Sequence, residues 1–194
     1  MTAHSMRLVA RLLCSAGLVL LVAAGSARAQ LSLFGSYYDN VARASASNDA
    51  VKVRELVGSG NSPNEVDESG RTGLQIAATN GNLQIAAILI KAAAHLDVKD
   101  KLGNTALHYA TDRNHVEMAQ LLLDVGAVVD PENKNGMTPL MIAASRGNAV
   151  IVQALLAKGA NPKKTDFTGR DALGWAAESH RPAVVQMLQR AAKR

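Results

Sequence analysis

The side chains that could carry out chemistry are few and poorly spaced for it. No histidine pair has the HExxH or HxH spacing of a zinc site. Ser145 lacks the first glycine of the G-x-S-x-G nucleophile elbow, because Ala143 holds that position. A dinucleotide loop must follow a strand, and no strand is predicted before Gly58-Ser59-Gly60. We therefore expect a protein that is not an enzyme and that uses no cofactor and no metal. The histidines beyond residue 29 are His95, His108, His115 and His180.

Residues 1–29 have the pattern of a secretory signal peptide. Two arginines precede thirteen uncharged apolar residues, 12–24, and Ala27 and Ala29 supply the small side chains that signal peptidase needs. A run of that length is shorter than the ~20 residues that span a bilayer. We therefore predict cleavage before Gln30 and no stable membrane insertion afterwards, with an uncleaved anchor as the alternative.

Cleavage would change both the charge and the thiol content of the chain. It would remove three arginines and no acidic residue, which lowers the formal net charge from +5 to +2. The basic composition therefore does not indicate nucleic-acid binding. Cleavage would also remove Cys14, the one cysteine of the sequence, and a thiol-free protein suits an oxidising compartment. These features predict a periplasmic protein, with secretion to the medium as the alternative.

The remainder of the chain repeats with a period of 33 residues, which indicates a stack of similar units. One series of leucines with this spacing is Leu89, Leu122, Leu155 and Leu188, and one series of glycines is Gly70, Gly103, Gly136 and Gly169. We divide the chain into a lead segment, 30–36, and a repeat domain, 37–194. The five repeats are about 37–69, 70–102, 103–135, 136–168 and 169–194.

Each repeat is predicted to form two short helices and a hairpin-like loop. In the second repeat, Thr72 can cap the first helix, and Gly81 can end it with a positive φ. The second helix, about 83–91, has a broad apolar stripe. Asp171 replaces the capping threonine in the last repeat.

Helices this short are marginal alone, so neighbouring repeats must bury their apolar stripes together. Small residues such as Ala143 would let first helices approach closely. Lys52 and Glu55 in the first repeat, and Gln189 in the last, are polar where central repeats are apolar. This difference predicts that the outer faces of both end repeats contact water.

The repeated sequence resembles the ankyrin repeat. Residues 138–144, TPLMIAA, are similar to the TPLHxAA core of that family, and 159–162, GANP, to its GAxxN region. The resemblance covers about 37–194 and implies an all-α ankyrin solenoid whose function is to bind other proteins. Gly73 replaces the usual proline and Asn114 the glycine between helices, which predicts locally weaker repeats.

The surface expected to bind a partner is a concave face formed by the loop tips and the exposed sides of the first helices. Basic residues outnumber acidic ones there, which favours an acidic-faced protein partner over ordinary solvated charge. Tyr109 and Trp175 are assigned to the core instead, because they take the place of Ile76 and Ile142. The candidate contact residues are Arg71, Asn80, Lys101, Leu102, Asn104, Asp112, Arg113, Lys134, Met137, Arg146, Phe167, Arg170 and Glu178.

The sequence thus predicts a monomeric, non-catalytic interaction module or scaffold of the bacterial periplasm. A secreted effector that binds host proteins is the alternative. A purely structural unit would instead associate with itself as its concentration rises.

Overall fold

The computed structural model describes residues 40–192, which form ten α-helices arranged as five pairs. The first helices are α1 (Val41–Ala46), α3 (Gly73–Asn80), α5 (Ala106–Asp112), α7 (Pro139–Arg146) and α9 (Ala172–Glu178). The second helices are α2 (Ala50–Gly58), α4 (Leu83–Lys91), α6 (Val116–Asp124), α8 (Ala149–Ala157) and α10 (Pro182–Ala191). The all-α fold is confirmed. The predicted signal peptide, 1–29, and lead segment, 30–36, lie outside the described residues.

Side-chain caps fix where the first helices begin, as the sequence predicts. The Thr72 hydroxyl accepts a hydrogen bond from the Gln75 N–H at 3.3 Å, and the Gln75 side chain accepts one from the Thr72 N–H at 2.7 Å. In the last repeat Asp171 Oδ1 accepts from the Gly174 N–H at 2.8 Å. Gly81, at φ +70°, ends α3 in the left-handed conformation.

One hydrophobic core runs through the stack. Each first helix packs against its own second helix and against the first helices of the adjacent repeats. The second-helix leucines that repeat every 33 residues are at most 1% exposed: Leu89, Leu122, Leu155 and Leu188. Ala78 and Ala144 are buried between repeats, whereas Ala177, in the same position of the last repeat, is exposed. Glu55 and Gln189 are exposed, as predicted, and Lys52 is half-buried.

The loops between repeats close as hairpin turns around one polar side chain. The Asp67 N–H donates to the Arg71 carbonyl at 2.9 Å. Asp67 Oδ1 accepts from the N–H groups of Ser69 and Arg71 at 2.8 and 2.9 Å. We call the residues in this position the turn residues, and they are Asp67, Asp100, Asn133 and Asp166.

Neighbouring loop tips are joined by backbone hydrogen bonds. The N–H groups of Lys101, Lys134 and Phe167 donate to the carbonyls of Ser69, Leu102 and Asn135 at 3.3, 3.0 and 3.2 Å. Because each tip is fixed to the one before it, the loops form a continuous row beside the first helices.

Gly73, at the start of α3, is matched to a residue of the preceding repeat. A Cβ atom on Gly73 would lie 2.7 Å from the Ser45 Oγ atom. Ser45 is fully buried and donates to the Val41 carbonyl at 2.7 Å. It holds the position that Ala78 and Ala144 hold in later repeats. Gly73 therefore provides room for Ser45 and is not simply a departure from the repeat pattern.

Candidate protein-binding groove

A depression runs along the first helices of repeats three to five and has a volume of about 520 Å³. A second depression of about 450 Å³ adjoins it and shares Leu102 and Tyr109 with it. We refer to the two together as the groove. The first is lined by Leu102, Asn104, His108, Tyr109, Asp112, Asn133, Met137, Ile142, Ser145, Arg146 and Trp175. The second is lined by Glu68, Ser69, Arg71, Asp100, Lys101, Leu102 and Tyr109.

The groove brings together about half of the predicted contact residues. Those in its lining are Arg71, Lys101, Leu102, Asn104, Asp112, Met137 and Arg146. Those outside the lining are Asn80, Arg113, Lys134, Phe167, Arg170 and Glu178. Phe167 is a loop-tip residue that is 76% exposed. Contact of any of these residues with a partner stays a prediction.

Two aromatic rings line the groove, although the sequence assigned them to the core. Tyr109 and Trp175 are half-buried, whereas Ile76 in the equivalent position is 4% exposed. The rings are longer than isoleucine, so their polar ends reach the turn residues. The Tyr109 hydroxyl donates to Asp100 Oδ2, and the Trp175 Nε1–H donates to Asp166 Oδ2 at 3.0 Å. Both rings pack against the hydrophobic core, as predicted, and their outer sides line the groove, as Ile142 does in the fourth repeat.

Asp166 and the Tyr109 phenol are each in the charge state that their hydrogen bond needs. Burial alone would raise the pKa of Asp166, but bonds from Thr168, from backbone N–H groups and from Trp175 together lower it. Burial, and the bond to Asp100, raise the pKa of the Tyr109 phenol. The phenol therefore stays protonated at neutral pH and can donate. Hydrogen bonds to a carboxylate are stronger than those between neutral groups.

Arg170 covers part of Trp175. Its guanidinium carbon lies 4.5 Å from the centroid of the indole ring, and its Nη1 atom pairs with Glu178 Oε2. A cation over an aromatic face is attracted by the negative charge density of that face. Arg170 and Glu178 thus bind each other, and neither lines the groove.

The lining carries nearly equal numbers of positive and negative groups. Arg146 Nη2 lies 2.6 Å from Asp112 Oδ1, and its Nε lies 2.9 Å from the same oxygen. Arg71 Nη2 lies 2.8 Å from Asp67 Oδ2, although Asp67 itself is outside the lining. The groove lining therefore has no positive excess, because Asp100 adds a carboxylate to it. The predicted excess refers to the wider concave face, which includes Arg113, Lys134 and Arg170 outside the lining, and it stays a prediction.

The histidines act as hydrogen-bonding framework residues, as the sequence predicts for His108 and His115. His108 Nδ1 accepts from the Thr105 N–H at 3.1 Å, and Nε2 donates to the Met137 carbonyl at 3.1 Å. Burial lowers the pKa of His108 from 6.5 to about 4, so the ring is neutral at pH 7. His115 Nε2 donates to the Thr79 carbonyl at 3.1 Å.

Residues 40–192 contain no cluster of histidine, cysteine or carboxylate side chains arranged to hold a metal ion. In the same part of the chain, no helix combines the length and apolar character needed to cross a bilayer.

The chain belongs to the ankyrin-repeat family. Residues 41–133 and 126–193 match the family model described as ankyrin repeats (3 copies). Ankyrin repeats are generally protein–protein interaction modules and are typically non-catalytic. Comparison with the curated proteins finds no match.

The groove residues missed by the sequence analysis had a detectable signal. Each turn residue lies three positions before a glycine of the 33-residue series, as Asp100 lies before Gly103. Tyr109 and Trp175 each follow an aspartate turn residue by nine positions. These spacings indicate a contact between the two side chains.

Proposed function

We propose that the protein is a non-catalytic scaffold of the bacterial periplasm that binds another protein through the groove. The observation that carries this proposal is the groove itself, in which Met137, Ile142 and the two aromatic rings present apolar surface on a repeat framework. Apolar and aromatic side chains in a recessed site are typical anchor points of protein interfaces. The signal-like sequence in residues 1–29 and the absence of cysteine beyond it support the location.

Binding would use a surface that is ordered before the partner arrives. The backbone bonds between tips hold the loops in place, and the turn residues hold Tyr109 and Trp175. Fewer side chains and loops then lose freedom on docking, which reduces the entropic cost of association. Four predicted contact residues outside the groove lining would extend the binding surface beyond it: Asn80, Arg113, Lys134 and Phe167.

The test compares two variants that replace an exposed aliphatic residue with aspartate. Leu102 lines the groove and is 64% exposed, and Val150 lies on second helix α8 and is 60% exposed. We expect Leu102→Asp to lose the partners captured by crosslinking in intact cells and identified by mass spectrometry. Val150→Asp should retain them. Equal recovery with both variants, at matched thermal stability, would show that the groove is not the binding surface.

Cell fractionation tests the location. We expect the protein in the periplasmic fraction. Recovery chiefly from the medium would favour a secreted effector that binds host proteins. Sedimentation should give a monomer over a range of concentrations, whereas concentration-dependent growth in mass would favour a self-assembling unit.

A further inference from the structure

We propose that the groove binds an extended segment of the partner in which an apolar or aromatic side chain is flanked by acidic residues. This inference rests on the proposed function and specifies the chemistry of its partner. We call the apolar part of the lining, formed by Tyr109, Met137, Ile142 and Trp175, the groove floor, and it indicates the apolar side chain of the partner. The charged groups around the floor indicate the acidic residues on either side of that side chain.

The floor favours an apolar anchor because its polar groups already have partners. The Tyr109 hydroxyl and the Trp175 indole N–H both donate to turn carboxylates. The groove-facing parts of these rings, together with Met137 and Ile142, therefore offer apolar surface on which no hydrogen-bond donor lacks a partner. Burying such surface is favourable, whereas burying a polar group that lacks a partner is costly.

Three cations have no strong carboxylate partner: Lys101, which is in the groove lining, and Arg113 and Lys134, which directly follow the lining residues Asp112 and Asn133 in the chain. Lys134 is an exposed loop-tip residue and forms no ion pair with another described residue. Lys101 Nζ binds the carbonyl of Glu68 at 2.6 Å, which leaves its charge unneutralised. Arg113 lies 3.9 Å from Asp112, whose other oxygen is already held by Arg146.

The nearby carboxylates are mostly committed to other groups. Asp100 and Asp166 keep their negative charge, but they are 8% and 6% exposed and their oxygens accept backbone and aromatic donors at their turns, so a docked segment cannot contact them directly. Asp112 pairs with Arg146, and Glu178 with Arg170. Glu68 is exposed at the second-repeat end of the tip row. The charged groups that a docked segment can contact are therefore mainly positive, with Lys101, Arg113 and Lys134 in repeats two and three against Glu68, and they complement acidic side chains.

The experiment selects peptides from a fully random display library on the protein purified from cells that express the whole chain. We expect the selected pool to be enriched in peptides with tryptophan, phenylalanine or leucine next to aspartate or glutamate. Their binding should be lost in Leu102→Asp and kept in Val150→Asp. The double variant Lys101→Gln/Lys134→Gln should bind them about fivefold more weakly, from two exposed charge contacts. The matched control Lys91→Gln/Lys163→Gln removes the same charge from exposed lysines outside the groove lining.

The outcomes separate this inference from the proposed function. Selected peptides that depend on Leu102 but carry no excess of acidic residues, or that bind both lysine double variants equally, would overturn the acidic flanks and leave the groove as a protein-binding site. A library that yields no Leu102-dependent peptide would overturn both proposals. Self-association of the full chain that Leu102→Asp abolishes would assign the groove to a second copy and overturn the inference.

Discussion

Replacing Gly73 with alanine should destabilise the protein although alanine is the better helix former. In an exposed helix interior this change stabilises by up to about 1 kcal/mol. Here the new Cβ would lie 2.7 Å from Ser45 Oγ and 3.2 Å from side-chain carbons of Leu89 and Val41. Overpacking of a core costs about 1–3 kcal/mol. We therefore expect a net loss of about 1 kcal/mol in the free energy of unfolding.

The obstacle can be removed from the other side by Ser45→Ala. That variant deletes the buried Oγ and its 2.7 Å bond to the Val41 carbonyl, at a cost of about 1 kcal/mol. With the hydroxyl gone, the 3.2 Å contacts with Leu89 and Val41 remain, but the gain in helix propensity offsets them, so alanine at position 73 should cost little or nothing further. The double variant should therefore be about as stable as Ser45→Ala alone. This pattern corresponds to a coupling energy of about 1 kcal/mol between positions 45 and 73.

Urea unfolding followed by far-UV circular dichroism, on the wild type, both single variants and the double variant, measures that coupling. Ala172→Gly is a matched control, because Ala172 begins α9 in the same register as Gly73. It should lose stability, since no serine occupies the corresponding place before it. Additivity of the two changes to within about 0.5 kcal/mol, or a gain from Gly73→Ala alone, would refute the assignment of Ser45 as the obstacle.

Four further substitutions test separate parts of the structure. Ala93 is held at φ +60°, where its register mates are glycines, so Ala93→Gly should raise stability by about 1 kcal/mol in thermal unfolding. The buried Thr111 hydroxyl has no hydrogen-bond partner among the described residues, so Thr111→Val should stabilise by about 1 kcal/mol in urea unfolding. His108 has a pKa of about 4 when folded against 6.5 ordinarily, so the unfolded chain binds a proton first as the pH falls. Stability should decline by about 3 kcal/mol between pH 6.5 and 4, and His108→Gln should remove that decline in unfolding measured across pH. Ala143→Leu should overpack the contact between α7 and the neighbouring first helices, and it should lower the free energy of unfolding in urea by about 1–3 kcal/mol.

Two of these predictions have a control variant, and the other two have a defined contradicting outcome. Ala92→Gly, beside Ala93 but at φ −84°, should lose stability, and a gain there would mean that flexibility and not strain relief explains Ala93→Gly. Thr111→Ser keeps the hydroxyl and should not stabilise. Glutamine at 108 is compatible because Gln75 makes equivalent bonds in the second repeat. An unchanged pH profile in His108→Gln would assign the decline to other groups. A tolerated leucine at 143 would mean that the first helices can separate.

The helices and the core could be predicted from the sequence because the 33-residue period averages over individual residues. Four leucines in one register identify the buried face more reliably than any single leucine does. Capping residues such as Thr72 and Asp171 act within one turn of chain, so local reasoning locates them correctly.

The groove was only partly predictable, because its character depends on pairs of side chains. The hydroxyl of Tyr109 is held by Asp100, nine residues away, and a residue-by-residue comparison with isoleucine does not reveal that contact. Counting charges along the predicted face gave a basic surface, but ion pairs such as Arg146–Asp112 become visible only when neighbouring repeats are placed side by side. The same reasoning applies to Gly73, whose role depends on Ser45 in the preceding repeat.

The backbone bonds that join the loop tips restrict how this surface can evolve. An exchange of side chain at a tip leaves the N–H of Lys134 and the carbonyl of Leu102 in place, so the contact chemistry can change while the row stays intact. An inserted or deleted residue would shift one tip out of register with both of its neighbours. New binding preferences in such a protein should therefore arise by point substitution at constant loop length.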